Sequence, residues 1–279
     1  MMGKLSSVLV LCAPHGAPAR ATCEFIMAMR EQGAVIQLGL CTSDAALTRN
    51  NQAAHAADML RGDPRLEWVF WLDHDISGTV DGVLTLIGLA IAMQDESVYP
   101  SVSGAYINRH HPSGKSELAA FAVKSCTGSS VLLPEQFTPP NQQIDGKDCP
   151  AGDALTLQCF PALVGMGALL QHRNVFLSHV DQAQKFVNAD PDWLCPCVCQ
   201  AHLIHASEMA QWVDCDPDAD RFYWIAEDFD YCMREFEAGR LVYMSPVAFG
   251  HDKTLCVMPN SRTVFKGLHA PTAELDSTG

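Results

Sequence analysis

A chain of 279 residues, 48% of them apolar, has the material for one large α/β domain or two small ones, and it needs no staple to fold. Its formal charge of −14 excludes broad, non-specific attraction to a nucleic-acid or membrane surface, since a polyanionic partner is repelled at long range. Twelve cysteines spread along the chain read as reduced thiols in a cytosol, not as a disulfide framework.

The opening "MMGKLSSVLVLCAPHG" holds an apolar run around Val8 to Cys12, too short for a signal peptide or a membrane span, and it reads as a first buried strand. "ATCEFIMAMREQG" predicts a helix ending on Gly33, "VIQLGLC" a second strand, and "ALTRNNQAAHAADMLRG" a helix closed by Gly62. "LEWVFWL" predicts a third strand and "TVDGVLTLIGLAIAMQ" a further helix. This βα alternation implies a mostly parallel, buried sheet. Beyond Tyr99 the strands shorten, and "LPEQFTPPNQQIDGKDCPAGD" reads as a surface loop. "FPALVGMGALLQHRNVF" reads as one strand running into a helix. "DRFYWIAEDFDYCMREFEAGRLVYMSPVAFGHDK" reads as a loop, a helix ended by Gly239, a strand and a histidine, followed by a loose tail. Cys195, Cys197 and Cys199 in "CPCVC" are a poor match to structural zinc knuckles, and Cys215 is the nearby thiol that would complete four ligands.

"FWLDHDIS" ends the third strand on two aspartates, at the edge where open α/β sheets bind ligands. In an extended segment Asp73 and Asp75 project the same way while His74 points back. Two carboxylates on one side suit Mg²⁺ or Mn²⁺ bridging to a diphosphate; the competing role is that one aspartate caps the next helix. In "AEDFDYCMREFEAG", Glu227 and Asp228 start a helix whose Phe229, Cys232, Met233 and Phe236 form the inward stripe, and the helix dipole stabilises carboxylates there. His251 arrives one strand later as a borderline metal ligand.

The order "LVLCAPHG", "TRNNQAAHAADML", "WVFWLDHDISG", "SVSGAYINRHHP", "LVGMGALLQHRNVF" and "AEDFDYCMREFEAGRLVYMSPVAFGH" resembles the small GT-A-fold, nucleotide-sugar-dependent glycosyltransferases of bacteria and their phages, from about Val8 to His251. The resemblance implies a single α/β domain over residues 1–255, GT-A-like (Rossmann-like), with a mostly parallel central sheet and flanking helices. Its nucleotide-binding half would cover about 1–100 and its catalytic half about 101–255, with 256–279 as a tail. By the same resemblance Asp73 and Asp75 would be the metal and ribose motif, His251 the late metal ligand, and Asp228 the catalytic base of inverting members, with Glu227 beside it. Pro14 and His15 would hold the nucleotide base, Arg49 and Asn50 would face ribose or diphosphate, and Gly165 to Gly167 would let backbone approach the sugar. The implied cofactors are Mn²⁺ or Mg²⁺ and a nucleotide-sugar donor, a UDP-sugar in the favoured case.

Some phage members glycosylate hydroxymethylated pyrimidines such as 5-hydroxymethylcytosine in DNA, and a cytoplasmic enzyme without membrane spans fits a cytosolic polymer. In this chain DNA would be gripped locally by Arg109, His110, His111 and Lys115. Other acceptors in view are a glycan, lipid or protein. Two readings compete. A metal-dependent phosphoesterase would use the aspartates with His15, His110, His111 and His251, and a non-catalytic relative would only bind a glycan.

Overall fold

The computed structural model describes residues 3–13, 18–39, 44–95, 98–108, 117–118, 120–122, 159–187, 194–212 and 215–251. The first half holds β1 (Val8–Ala13), α1 (Arg20–Glu31), β2 (Val35–Leu38), α2 (Ala45–Gly62), β3 (Trp68–Asp73), β4 (Ile76–Ser77), α3 (Val80–Ala92) and β5 (Ser101–Ala105). Short strands β6 (Ile107–Asn108), β7 (Glu117–Leu118) and β8 (Ala120–Ala122) follow. Then come β9 (Phe160–Val164), β10 (Ala168–His172), α4 (Arg173–Gln182), β11 (Lys185–Val187), β12 (Leu194–Pro196), β13 (His202–His205) and α5 (Ala206–Met209). The described chain closes with β14 (Phe222–Ile225), α6 (Glu227–Glu237), β15 (Val242–Ala248) and β16 (Gly250–His251).

The central sheet has the order β2-β1-β3-β10-β5-β15-β9-β8. β1 runs parallel to β2 and β3, and β15 runs parallel to β5; β10 lies antiparallel between β3 and β5, and β9 antiparallel to β15. Most strands therefore share one direction, and the fold is the mostly parallel, helix-flanked α/β architecture expected from the βα alternation. Period-two alternation explains the two cores. Val8, Val10, Phe70 and Leu72 face α1 and α3, whereas Leu9, Leu11, Val69 and Trp71 face α2, α4 and α6. Each such fully buried side chain contributes about 1.5–3 kcal/mol.

Local signals set the helix ends. Asp44 accepts the Leu47 N–H at the start of α2, and Thr79 accepts the Gly82 N–H at the start of α3. Gly33 and Gly239 take φ +94° and +74° after α1 and α6, a backbone region that favours glycine. Among the described residues no helix is long and apolar enough to cross a membrane.

Three expectations are corrected. "FPALVGMGALLQH" forms two strands, β9 and β10, because Gly165-Met166-Gly167 interrupts it, and the two lie apart in the sheet with β5 and β15 between them. The segment before α6 is not a loop: β14 pairs antiparallel with β13, a partner too distant in sequence for a local pattern to announce. The strand carrying the paired aspartates stops at Asp73 and the chain turns at His74 and Asp75, so the alternation that would put both carboxylates on one side does not extend across them. The proposed tail lies outside the described residues.

Candidate active site

Asp73 ends β3 beside Ala13, its register partner on β1. Arg49, reaching in from α2, donates from Nη2 to Asp73 Oδ1 at 2.8 Å and from Nη1 to Glu227 Oε1 at 3.0 Å. Its side chain is only 4% exposed, against 23% and 17% for the two carboxylates. One buried guanidinium thus ties the end of β3 to the start of α6, two segments that meet only in the folded chain. In the structure Arg49 faces these two carboxylates.

Asn50, one residue on, has a different task. Its Oδ1 accepts from the N–H groups of Val198 and Cys199, and its Nδ2 donates to the Cys199 carbonyl at 2.9 Å. It pins the "CPCVC" segment. The thiols there point to separate partners: Cys195 to Asn51, Cys197 to Gln200 and Cys199 to Asn50, while Cys215 points to the Ala206 carbonyl. Burial raises the thiol pKa of Cys195 to about 11 and keeps Cys199 protonated well above the usual range. Among the described residues no three His, Cys, Asp or Glu side chains gather into a ready metal site.

α6 begins at Glu227 with no side-chain cap, so its first-turn N–H groups and dipole favour the carboxylates of Glu227 and Asp228. Asp228 Oδ1 accepts the N–H of Phe229 at 2.9 Å. Burial first, and then the neighbouring Glu227 charge, push its pKa up to about 7, against the opposing pull of Arg49. A carboxyl with that pKa can hold or release a proton near neutrality.

Tyr106, which the sequence patterns did not single out, stands between the two carboxylate groups. It is 5% exposed, accepts the Gly167 N–H at 3.0 Å, and burial holds its phenol protonated. A Cβ at Gly165 would lie 2.1 Å from the Tyr106 hydroxyl and 3.3 Å from Asp228 Oδ2, and one at Gly167 would lie 3.0 Å from Asp73 Oδ2. Protein side chains thus crowd both glycines. Gly167 also accepts the Asp73 N–H at 3.2 Å. The only sequence signal for Tyr106 was its place just after a strand end.

Asp75 and His251 form the third part. β16 pairs with β4 so that His251 lies opposite Ile76, and His251 Nε2 comes within 3.5 Å of Asp75 Oδ2. Phe249 seats this strand: a Cβ at Gly78 or Gly104 would collide with its ring at 2.6 and 2.1 Å. Neither Asp73 nor Asp75 caps α3, because Thr79 does. Asp73, Glu227 and Asp228 face one buried guanidinium, an excess of negative charge that a hard divalent cation would offset. The Asp75–His251 pair offers two donors, an oxygen and an imidazole, of a chemistry that suits such a cation when phosphate oxygens and water complete the shell. Pro14, His15, Arg109, His110, His111 and Lys115 lie outside the described residues, and with them most histidines of a two-metal phosphoesterase.

A second buried network was also missed from sequence. Gln171 Oε1 accepts from Trp71 Nε1 and from the Tyr231 hydroxyl, Tyr231 stacks on His179 at 4.2 Å, and His179 bonds Glu235, which Arg240 holds from the other side. These residues lock α4 and α6 to the sheet beneath the site.

No protein-family model matches the chain, and no curated protein matches it. Among solved structures it is similar to the crystal structure of A197 from STIV, with 10% identity and a TM-score of 0.35 over 61% of this chain and 66% of that one. It is also similar to a glycosyltransferase involved in the glycosylation of the major capsid of PBCV-1, with 16% identity and a TM-score of 0.26 over 37% of this chain and 54% of that one. The chain spans less than two thirds of either structure's own length.

Proposed function

We propose that this protein is a divalent-cation-dependent, inverting glycosyltransferase that moves a sugar from a nucleotide-sugar donor, a UDP-sugar in the favoured case, to an acceptor hydroxyl. The observation that supports this most is the Arg49 tie, which draws a strand-end aspartate and a helix-start carboxylate pair into one cleft where Asp228 has its pKa pushed up to about 7. Asp228 takes the proton of the acceptor hydroxyl as its oxygen bonds the anomeric carbon, and the bond from that carbon to the diphosphate breaks. A base with a pKa near the working pH serves this step better than an ordinary carboxylate. Glu227, anchored by Arg49, keeps the start of α6 in register with β3. Tyr106 holds the Gly165–Gly167 segment against the cleft. Asp75 and His251 would hold Mn²⁺ or Mg²⁺, with Asp73 beside them; when bound, the cation stabilises the charge of the leaving diphosphate as a Lewis acid.

The favoured acceptor is a hydroxymethylated pyrimidine in DNA, with Arg109, His110, His111 and Lys115 as the basic contact. Incubation with Mn²⁺, a pool of nucleotide sugars, and hydroxymethylcytosine-containing or unmodified DNA tests both levels. Transfer that stops in excess chelator is expected, with a sugar adduct only on the modified base. Full turnover in chelator overturns the metal assignment, transfer to a saccharide or peptide with untouched DNA overturns the acceptor, and phosphate release without transfer points to a phosphoesterase.

A further inference from the structure

On the flank of α6 away from Asp228 lies a second cavity of about 350 Å³, within the size range of small-molecule sites. Asp230, Met233, Arg234 and Glu237 line it at positions spaced by three and four residues, one face of the helix. Asp228 and Asp230 stand roughly 200° apart around α6, so the cavity and the carboxylate cleft use different faces of one element. The opposite wall comes from β13 and α5, with His202, Glu208 and Trp212.

We infer that this cavity binds a neutral saccharide. Its charge excludes the donor: three carboxylates, Glu208, Asp230 and Glu237, face the single guanidinium of Arg234 and repel phosphate. Its hydrogen-bonding inventory is mixed, since Arg234 and the Gln200 and Gln211 amides donate while the carboxylates accept. A sugar hydroxyl, which both donates and accepts, matches such a wall, whereas an amine would use the acceptors alone. Trp212 supplies an apolar surface for the C–H face of a pyranose, and Phe236 holds it in a tilted contact at 6.1 Å. The wall is preorganised. Asp230 is 5% exposed, and its Oδ2 accepts from the Gln200 N–H at 2.9 Å and from Arg234 Nε at 2.8 Å.

The full-length protein is titrated with cellotriose, maltotriose, mannotriose and N,N′,N″-triacetylchitotriose, followed by tryptophan fluorescence and saturation-transfer NMR. Binding of at least one is expected with a Kd below about 10 mM. Trp212→Ala and the exposed-site double variant Glu208→Gln/Glu237→Gln should each weaken it about tenfold; the double variant keeps the test valid where the tryptophan change harms folding. Absence of binding by all four, or binding that neither variant alters, overturns the inference. So does displacement of the saccharide by spermidine at equal concentration, which would mark an amine site. No donor or turnover enters the measurement, so its failure leaves the transferase reading untouched, and the reverse also holds.

Discussion

Helices α2 and α6 approach the same cleft with buried polar residues but treat them in opposite ways. α2 turns Arg49 and Asn50 inward, and each is matched by the protein: two carboxylates, and the backbone of Val198 and Cys199. α6 turns Asp228 inward beside Glu227, and what it meets there leaves its proton affinity raised by burial and like charge. A buried polar group fully matched by its own chain is architecture, whereas one left with an altered proton affinity is poised for chemistry.

The largest expected effect breaks the α6 side. Asp228→Asn is nearly isosteric and cannot accept a proton, so steady-state kinetics should show kcat reduced by about 10²–10⁴-fold with donor affinity kept. A wild-type turnover number in this variant would remove Asp228 from the base role. Next comes the tie between the helices. Arg49→Met leaves Asp73 and Glu227 without their shared cation, and urea unfolding should show a loss of about 3 kcal/mol. An unchanged midpoint would mean that the two carboxylates relax into solvent.

Asn50→Ala tests α2 alone. Two buried N–H groups and one carbonyl lose their partner, a cost of roughly 2 kcal/mol in the same measurement, with the pH dependence of stability unaltered. The smallest effect sharpens the contrast. Because the folded pKa of Asp228 is raised from 3.8 to about 7, the native state keeps a proton that the unfolded chain gives up. Wild-type stability should therefore fall as pH rises from about 4 to about 7 and level off above. Asp228→Asn should lack that slope. Parallel wild-type and variant stability curves from pH 5 to 8 would show the shift to be absent.

The parallel half of the sheet was legible because β1 and β3 carry continuous apolar runs, and the aspartate pair marked the end of β3. The cleft itself was only partly legible. D-H-D and the acidic start of α6 were visible as local strings, but the guanidinium joining them comes from a helix with little apolar periodicity, whose buried face is partly polar. Tyr106 and Gln171 escaped for a related reason: a lone tyrosine or glutamine carries no spacing to read. β14 and the split between β9 and β10 depend on partners remote in sequence, and no window of neighbouring residues contains that information.

The 178-residue separation between Arg49 and Glu227 also sets the timing of assembly. A ribosome releasing this chain exposes β1 to β3 and α2 long before α6, so the guanidinium must wait for its second partner with only Asp73 beside it. His251 comes later still, with the last described strand. The carboxylate cluster is therefore completed by late-emerging segments, and a nascent chain that stops short of α6 has the strand that ends on Asp73 but neither Glu227 nor Asp228 to set beside it.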